Sequence, residues 1–367
     1  MRAFNRHRNV FLSTLALATM VAAACKPDLP TEAAPADPTL AYARNSDPGY
    51  TSASLGVLPG DNSSRANGVN DAGEVVGYSC CSPLHRAFVT LGGVLTALAG
   101  TSGNALAISN GTPRYVVGWA GDTSSAVKWT ITGGAPSQPT YLGDGSAIFS
   151  AARGVNDVGQ AVGNAGNSAA MWDAGGNLTL VSAPQGFVDG EGRDINNAGH
   201  AVFVFSRPEG GWPNGIAIGY LRLASGAPVP LPPLGGDVTS YANSLTSVMT
   251  NDLVQVAGSS YATPSSSRAV RWTVDVGTGQ IVRAEVRSET SHAVAISDGG
   301  AAAGFLEGST NSLRTTAFRW QGSTLLSLNP PKNAKDGKAW AISPNGLLVA
   351  GEAIVQLSRR AILWRIR

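Results

Sequence analysis

The sequence predicts an all-β fold, a seven-bladed β-propeller of four-stranded blades, from three observations. An alanine followed three positions later by an aromatic residue returns at intervals along the chain. A turn rich in Asn, Asp and Gly, set between two apolar runs, precedes most of these copies. A single strand with no blade of its own precedes the first repeat, and the last repeat lacks its fourth strand. Self-similarity at a period of about 40 to 50 residues is typical of propeller blades.

The Ala-x-x-Trp run predicts the third strand of each blade. Five copies end in Trp, one in Tyr and one in Thr: Ala126–Trp129, Ala169–Trp172, Ala269–Trp272, Ala317–Trp320, Ala361–Trp364, Ala217–Tyr220 and Ala87–Thr90. A large ring at one position of every blade fills the space between neighbouring sheets, so we expect these tryptophans in the core. Alternating runs that follow, such as Val94–Leu98, predict the fourth strand.

The element before each third strand predicts the first two strands and their hairpin turn. Its fullest copy runs from Ala66 to Gly77 and contains the turn Asn70–Gly73. Asn and Asp hydrogen-bond nearby backbone, and Gly supplies the positive φ that such turns require. The fourth copy has Phe203 where the others close with glycine, and the fifth is the loosest, with Asn251 and Gly258 holding the spacing.

Acidic residues recur at one position of this turn, as Asp71, Asp157 and Asp298. Recurrence in a repeat marks a structural role, so we expect each carboxylate to bond the backbone of its own turn. A glycosidase of the two-carboxylate type would need acids near the central axis with separated pKa values. Acidic residues outside the turns are sparse, which gives no support to such a site.

The two ends of the repeat array predict a closed ring. The seventh copy stops at Arg367, three residues after Trp364, so it has no fourth strand of its own. The segment Ser54–Gly60, before the first full copy, has the pattern of a fourth strand without a blade. If this N-terminal strand completes the last blade, the ring closes and two exposed sheet edges disappear.

The two repeated elements together resemble those of the bacterial extracellular HAF-repeat proteins, a family named after a His-Ala-Phe run that opens the third strand. The nearest matches here are Arg86-Ala87-Phe88 and Thr316-Ala317-Phe318, and no copy keeps the histidine. The resemblance covers residues 54–367. It implies an exported β-rich protein, and it implies no reaction and no catalytic residue.

The N-terminus predicts export and lipid anchoring. Residues 1–24 read as a lipoprotein signal peptide, with a basic front and an apolar stretch, Val10–Val21, too short for a stable membrane anchor. It ends in Ala22-Ala23-Ala24-Cys25, which resembles a lipobox. Acylation of Cys25 would place two or more chains on one residue and so give stable anchoring. The alternative is an ordinary secretory cleavage that leaves Cys25 free in a secreted or periplasmic protein.

The segment behind the cysteine predicts a tether and a destination. Residues 25–50 are rich in Pro and Ala and would hold the propeller, residues 51–367, away from the membrane. Lys26 stands where an Asp would favour inner-membrane retention, so we expect the outer membrane or the cell surface. Charged residues make up 14% of the chain and its net charge is +2, which excludes a nucleic-acid partner steered by a strong field.

Cys80 and Cys81 are adjacent, in the predicted loop between the second and third strands of the first blade. In an oxidising compartment we expect them to form a vicinal disulfide that stiffens the loop. Metal binding together with His85 is the alternative, but two Cys and one His without a second cluster make a poor zinc site. The sequence therefore predicts a disulfide here and no metal or cofactor.

Four aromatic residues outside the third-strand positions are candidates for a ligand-binding face: Trp212, Tyr261, Phe187 and Tyr241. Trp212 lies in a long loop rich in Pro and Gly, and the others lie near predicted strand ends or in loops. Propeller connectivity brings such loops to one face, where exposed aromatic rings form a platform for a glycan or a peptide. The alternative is that each ring fills the space beneath its own loop.

These features favour a binding or scaffolding module at the cell envelope, with a glycan or an envelope protein as partner. The rival is a secreted carbohydrate-active enzyme, a hydrolase or lyase, with its site in the central channel. An enzyme needs acids, His, Tyr or Arg near the axis, whereas the predicted first strands Ala66–Asn70, Ala105–Ser109 and Ala293–Ser297 carry almost only small and apolar residues. The sequence therefore predicts no catalytic residue. A structural envelope protein without a ligand is the third alternative.

Overall fold

The computed structural model of the protein describes residues 49–80, 84–100, 102–143, 149–207, 216–247, 249, 251–263, 266–308 and 314–367. Across these residues the chain forms β-strands joined by turns and contains no helix. The described residues accordingly include no helix long and apolar enough to cross a membrane. The all-β fold predicted from the repeats is confirmed.

Twenty-eight strands lie in the described residues. In chain order they are β1 (Tyr50–Gly56), β2 (Ser63–Val69), β3 (Val75–Cys80), β4 (Arg86–Leu91), β5 (Val94–Ala97), β6 (Gly103–Ile108), β7 (Arg114–Ala120), β8 (Ser125–Thr132), β9 (Ala135–Pro136), β10 (Thr140–Tyr141), β11 (Ser150–Val155), β12 (Ala161–Ala165), β13 (Ser168–Trp172), β14 (Leu178–Val181), β15 (Asp189–Ile195), β16 (Ala201–Ser206), β17 (Ala217–Arg222), β18 (Pro228–Leu231), β19 (Thr239–Leu245), β20 (Leu253–Thr263), β21 (Ser266–Asp275), β22 (Gln280–Ile296), β23 (Ala302–Glu307), β24 (Thr315–Gln321), β25 (Thr324–Leu328), β26 (Ala334–Ile342), β27 (Leu348–Val355) and β28 (Ser358–Ile366).

These strands form six hydrogen-bonded sheets within the described residues. Four of the sheets have four strands, in the orders β2-β3-β4-β5, β11-β12-β13-β14, β15-β16-β17-β18 and β1-β28-β27-β26. A fifth sheet holds β6, β7 and β8, and its outer edge is split between the short strands β9 and β10, which both pair with β8. Consecutive antiparallel strands are neighbours, as predicted for four-stranded meanders.

The sixth sheet has seven strands, β19 to β25, because β22 belongs to two meanders. Its residues up to Thr290 pair with β21, and those from Ser291 onward pair with β23. The 17 residues of β22 contain neither Gly nor Pro, so the chain passes from one meander into the next without a turn.

The N-terminal strand β1 pairs with the C-terminal strand β28. Their antiparallel register runs from Tyr50 opposite Ile366 to Gly56 opposite Ala361. The strand therefore begins four residues before the predicted segment Ser54–Gly60, at a residue assigned to the tether. Tyr50 is buried, and its hydroxyl accepts a hydrogen bond from the Asn329 N–H at 2.7 Å. This bond fixes the start of β1 against the loop between β25 and β26.

A β-bulge interrupts the first strand of each repeat at the same position. The register with the second strand shifts by one residue there, so that one residue is left without a pairing partner. We call these unpaired residues the bulge ring: Asn67, Leu106, Arg153, Arg193, Asn243, Val294 and Trp340.

The glycine that closes each repeated element is explained by the same bulge. Gly163 pairs with Ala152 beside the bulge, and a methyl group on it would overlap the carbonyl oxygen of Ala151. In β16 the equivalent residue is Phe203, which faces Gly192 where other first strands have alanine. In this repeat the first strand, rather than the second, carries the glycine of the pair. The same overlap would occur at five further glycines: Gly77, Gly118, Gly258, Gly304 and Gly351.

The hydrophobic core lies in layers between neighbouring sheets. Trp129, Trp172, Trp272 and Trp364 are fully buried, and Trp320 is nearly so, as predicted from the third-strand pattern. Trp272 packs in one cluster with residues of the β15–β18 sheet, among them Val202 and Leu221. Because each layer needs two sheets, no sheet can bury its apolar faces alone.

Polar side chains cap the hairpin turn that follows each bulged strand. In each repeat, the side chain of the residue that directly follows this strand accepts a hydrogen bond from a backbone N–H of its own hairpin. These capping residues are Asn70, Ser109, Asn156, Asn196, Thr246, Ser297 and Ser343. In the fifth repeat this residue is Thr246, whereas Asn251 lies at the tip of a longer turn with a positive φ of 65°.

The aspartates next to these caps bond a neighbouring repeat, which corrects the prediction that they bond their own turn. Asp157 Oδ1 accepts hydrogen bonds from the N–H groups of Asn110 and Gly111, at 2.7 and 2.8 Å. Its Oδ2 accepts a bond from Asn197 Nδ2 at 2.7 Å. The turn's own N–H is already bonded to Asn156, so the aspartate is available to join repeats.

The other two recurring aspartates follow the same rule. Asp298 accepts a hydrogen bond from the Ser247 N–H at 2.8 Å, and Asp71 accepts one from the Asn345 N–H at 2.9 Å. The second bond joins the last repeat to the first. We call this set of inter-repeat bonds, made by Asp71, Asp157 and Asp298, the turn belt.

Candidate functional site

A cavity of about 260 Å³, which we call the channel, lies between the first strands of the repeats. Seven strands contribute to its wall: β2, β6, β11, β15, β19, β22 and β26. Its lining includes every member of the bulge ring except Val294. A bulge turns a side chain away from the alternating strand pattern, so the repeated bulges direct unlike side chains toward one space.

Charged and polar side chains precede most of the bulges by two residues. We call these residues the outer ring: Arg65, Asn104, Ala151, Glu191, Tyr241, His292 and Lys338. The bulge ring and the outer ring together contain Arg, Lys, Glu, His, Tyr and Trp. The channel lining itself includes Arg153, Arg193, Asp194 and Trp340, which corrects the expectation, drawn from three of the first strands, that it consists of small residues.

Two arginines share one carboxylate where β11 and β15 meet. Arg153 Nε lies 3.0 Å from Glu191 Oε2, and Arg193 contacts Glu191 Oε1 through its Nη2. Burial lowers the pKa of Arg153, Glu191 opposes this effect, and Arg193 adds to it. Because two guanidinium groups face one carboxylate, the positive charge of this group exceeds its negative charge.

An aromatic and histidine cluster continues the outer ring. The rings of Tyr241 and Tyr261 meet edge to face at 5.4 Å. The Tyr261 hydroxyl lies 3.2 Å from His292 Nδ1, and His292 Nε2 lies 2.9 Å from Glu307 Oε1 and 3.0 Å from Ser267 Oγ. Because a carboxylate only accepts, Nε2 carries the proton of the neutral ring and Nδ1 accepts from Tyr261.

Burial sets the protonation of this cluster. It lowers the pKa of His292, although the bond to Glu307 opposes the change, so the imidazole is neutral at pH 7. It also raises the pKa of Tyr261 to about 12, so the phenol keeps its proton. The pair forms a neutral donor–acceptor unit at the His292 position of the outer ring.

Trp340, the bulge residue of β26, is covered by two cations. The Arg65 guanidinium lies 3.9 Å from the centre of its ring, and Lys338 Nζ lies 5.9 Å away. Phe305 meets the indole edge to face at 5.4 Å. Arg65 is also 4.0 Å from Glu352, and burial lowers its pKa despite that carboxylate. Such stacking fixes the indole plane.

Asp194 joins three first strands deeper in the channel. It accepts hydrogen bonds from the Ile195 N–H, the Leu245 N–H and the Ser244 hydroxyl, at 2.9, 3.2 and 2.7 Å. Ser244 in turn accepts a bond from the Ile296 N–H. The residue keeps some exposure to the channel, but protein surrounds its carboxylate, and this desolvation raises the pKa of Asp194 to about 6. Oδ2 makes the two bonds to β19, and Oδ1 accepts the bond from Ile195 in its own strand.

A larger cavity of about 610 Å³ adjoins the channel, and Arg153 and Arg193 line both spaces. Tyr241 and Phe149 contribute aromatic surface to it, and Asn164 contributes an amide. The described residues bring no group of three or more His, Cys, Asp or Glu side chains together as a metal site.

The structure brings together two of the four aromatic residues predicted for a ligand face. Tyr241 and Tyr261 are in contact, although both lie within strands rather than in loops. Phe187 instead meets Tyr220 edge to face at 6.1 Å beneath Arg207, so it fills space under its own loop. The predicted site residues outside the described residues are Trp212, Cys25 and Cys81.

The cysteine and histidine predictions have separate outcomes. Cys80 is disulfide-bonded, while its predicted partner Cys81 lies outside the described residues, so the vicinal pairing stays a prediction. His85 stacks on Tyr78 at 4.8 Å, and His200 accepts a hydrogen bond from a backbone N–H. These two histidines have structural contacts, which leaves His292 as the histidine of the candidate site.

The bulge ring was missed by the sequence analysis, although a signal for it exists. When the repeats are aligned on the capping residue, the bulge position lies between residues that are small in nearly every copy, as in Ala152-Arg153-Gly154 and Ala339-Trp340-Ala341. The position itself varies between Asn, Leu, Arg, Val and Trp. A variable position inside a uniform repeat indicates a residue that folding does not constrain.

Comparisons with known proteins support the fold. The sequence matches no protein-family model and no curated protein sequence. A catalytically inactive virginiamycin B lyase from Staphylococcus aureus, solved with quinupristin, is similar with a TM-score of 0.52 at 11% identity over 87% of this chain and 100% of that chain. The β-propeller domain of the Trilobed protease from Pyrococcus furiosus is similar with a TM-score of 0.52 at 9% identity over 83% of this chain and 94% of that chain. At these identities the likeness is one of fold alone, and the described residues form a β-propeller.

Proposed function

We propose that the protein is an exported, lipid-anchored binding module whose ligand site is the channel mouth formed by the bulge ring and the outer ring. The observation that carries this proposal is the repeated bulge, which brings six of the seven unpaired residues, of four side-chain types, to the same space. A purely structural ring has no need of unlike side chains there. Convergent polar and aromatic groups in a cavity are the usual form of a ligand site.

The proposal includes a closed ring of seven blades. Three observations support it: seven first strands line one channel, β22 contains the junction of two meanders, and β1 pairs with β28. Closure removes the unpaired edges that an open array would expose.

The anchoring part of the proposal rests on the sequence from Ala22 to Cys25. Labelling cells with a palmitate analogue is expected to label the wild-type protein and not the Cys25→Ser variant. Membrane fractionation should recover the wild type with the outer membrane and the variant in the soluble fraction. A labelled Cys25→Ser protein would contradict the anchor.

The binding part is tested with a glycan and peptidoglycan-fragment array. We expect saturable binding by the wild type that is lost in the Trp340→Ala variant, because Trp340 supplies the aromatic surface of the channel mouth. Tyr141, 53% exposed on the outer strand β10, provides a matched aromatic control, and Tyr141→Ala should bind as the wild type does. Binding that survives Trp340→Ala would remove the channel mouth as the site.

The second candidate is a carbohydrate-active enzyme, which the Tyr261–His292 pair favours. A neutral imidazole bonded to a phenol can pass a proton to and from a substrate. Incubation with a panel of polysaccharides, followed by reducing-end and ultraviolet assays, tests for hydrolysis and elimination. Turnover abolished by both His292→Ala and Tyr261→Phe would establish the enzyme, and absence of turnover across the panel would leave the binding module.

A further inference from the structure

We infer that the Arg153–Glu191–Arg193 group and the adjoining 610 Å³ cavity form a subsite for the carboxylate-bearing ring of an acidic saccharide. This inference rests on the proposed function, because the subsite opens onto the channel mouth through the two arginines. It adds the class of ligand, which the proposed function leaves open.

The first argument is charge. Glu191 is the one carboxylate in direct contact with both guanidinium groups, so it neutralises a single positive charge. Among the residues lining the cavity, the arginines Arg153, Arg193 and Arg207 outnumber the acids Asp189 and Glu191. An incoming carboxylate would supply the missing negative charge, and Arg binds carboxylate with two parallel hydrogen bonds.

The second argument is unsatisfied hydrogen bonding. The Nε atom of Arg193 is buried and has no hydrogen-bond partner, whereas that of Arg153 faces Glu191. Asn164, 4% exposed, lines the same cavity; its Nδ2 donates to the Gly166 carbonyl, but its Oδ1 has no partner. Buried polar atoms without partners are rare because each costs about 1 to 3 kcal/mol of desolvation.

The chemistry of these unsatisfied groups distinguishes the ligand. The guanidinium groups offer donors for an anion, whereas Asn164 Oδ1 requires a donor such as a sugar hydroxyl. Tyr241 and Phe149 provide aromatic surface on which the apolar face of a sugar ring can pack. A simple anion such as phosphate would use the arginines and leave the amide and the aromatic rings without a role. An acidic saccharide uses all three, and the cavity volume is within the range of ligand sites.

The experiment compares two probes that differ only in charge: a galacturonate trisaccharide and the same trisaccharide with its carboxylates reduced to alcohols. Calorimetric titration of the full chain should show tighter binding of the acidic probe. Arg193→Gln should weaken that binding about 10- to 100-fold, because a charge-assisted bidentate contact is removed. Arg193→Lys, which keeps the charge without the fork geometry, should lie between the two.

Arg283 provides a matched control, because its guanidinium is 68% exposed in the part of β22 that pairs with β21, and it pairs with Glu285. Arg283→Gln should bind both probes as the wild type does. Circular dichroism spectra and melting temperatures of all variants show whether each is folded. Excess inorganic sulfate should compete only weakly, and full competition by sulfate would reassign the group to simple anions.

The outcomes separate this inference from the proposed function. Equal binding of the two probes, with loss in Trp340→Ala, would overturn the acidic-ligand inference and keep the binding module. Binding of the acidic probe that is unchanged in Arg193→Gln would overturn the subsite. If neither probe binds while another glycan on the array binds in a Trp340-dependent way, the inference fails and the proposed function stands.

Discussion

Asp194 lines the channel and also holds two first strands together. Its carboxylate accepts three hydrogen bonds from two strands, yet desolvation raises its pKa from 3.8 to about 6. For an acid, a raised pKa in the folded state means that folding favours the protonated form. Asp194 therefore stabilises the protein most at low pH.

This gives a prediction for the pH dependence of stability. As the pH rises from about 4 through 6, the contribution of Asp194 to the unfolding free energy should fall by up to about 3 kcal/mol, the equivalent of its roughly two-unit shift. Asp194→Asn has no group to titrate at this position. Urea unfolding of both proteins between pH 4 and pH 7 should show the wild type losing stability relative to the variant. A constant difference across this range would contradict the assignment.

Gly304 tests the requirement for a missing side chain opposite the bulge. A methyl group here would overlap the carbonyl oxygen of His292, so we expect Gly304→Ala to cost about 2 to 4 kcal/mol of unfolding free energy. Gly299, in the turn of the same hairpin, has open space around it. Gly299→Ala should therefore change stability by less than about 0.5 kcal/mol. Equal effects in denaturant unfolding would show that the overlap relaxes without cost.

The sequence identified these glycines as a repeated feature but not their cause. Gly163 and its equivalents were recognised as the residue that closes the repeated element, and no physical reason was given for them. Their cause is the bulged partner strand, which periodicity cannot show because a bulge shifts the alternating pattern by one residue. Phe203 was visible as an exception, and only the pairing with Gly192 explains why it is tolerated.

At the scale of the structural element, the hairpin turns are tied to one another by the turn belt. Asp157→Ala would remove three hydrogen bonds that cross to neighbouring repeats. We expect a loss of about 1 to 3 kcal/mol, because each bond contributes modestly and one donor, the Gly111 N–H, is partly shielded from water. Asp122→Ala, at an exposed turn position, is the matched control and should be neutral. A neutral Asp157→Ala would mean that water replaces the belt.

The strands were predictable where hydrophobic pattern and burial agree, and the candidate site was not. Trp129 and Trp272 were assigned correctly to third strands, because a buried ring repeats at a fixed spacing. Arg153 and Arg193 were passed over, since an isolated charge in a strand is typical of a solvated face. Their proximity depends on two bulges in different sheets and on Glu191 between them. That geometry is tertiary and leaves no local pattern.

At the scale of the whole molecule, the first and last strands share one sheet. β1 covers the outer edge of β28, and a protein lacking residues 1–56 would expose that edge. We expect such a protein to melt roughly 5 °C or more below the full chain and to aggregate, because an unpaired edge pairs with other chains. Removal of residues 1–48 keeps β1 and should leave the melting temperature unchanged. Equal melting of the two truncated proteins would show that β1 contributes little.

The pairing of the N-terminal strand was predicted from a missing strand at the other end, while its boundary was not. The predicted segment began at Ser54, and Tyr50 was assigned to the end of the Pro- and Ala-rich tether. The structure starts the strand at Tyr50, where a buried ring and a hydrogen bond from Asn329 secure it. The residues around Tyr50 in the sequence do not predict these contacts, because Asn329 lies more than 250 residues away.

The bulge ring has a consequence for how such a protein can change. Nearly every ring residue is flanked by small residues and presented by backbone geometry, so the core packing between the sheets does not by itself fix its identity. Asn67 and Asn243 donate hydrogen bonds to a neighbouring repeat, which leaves Leu106, Arg153, Arg193 and Trp340 as the channel positions open to exchange, much as hypervariable positions are exchanged on an antibody framework. Codon randomisation at these positions alone could produce variants that bind many ligands, while the rest of the sequence keeps the fold unchanged.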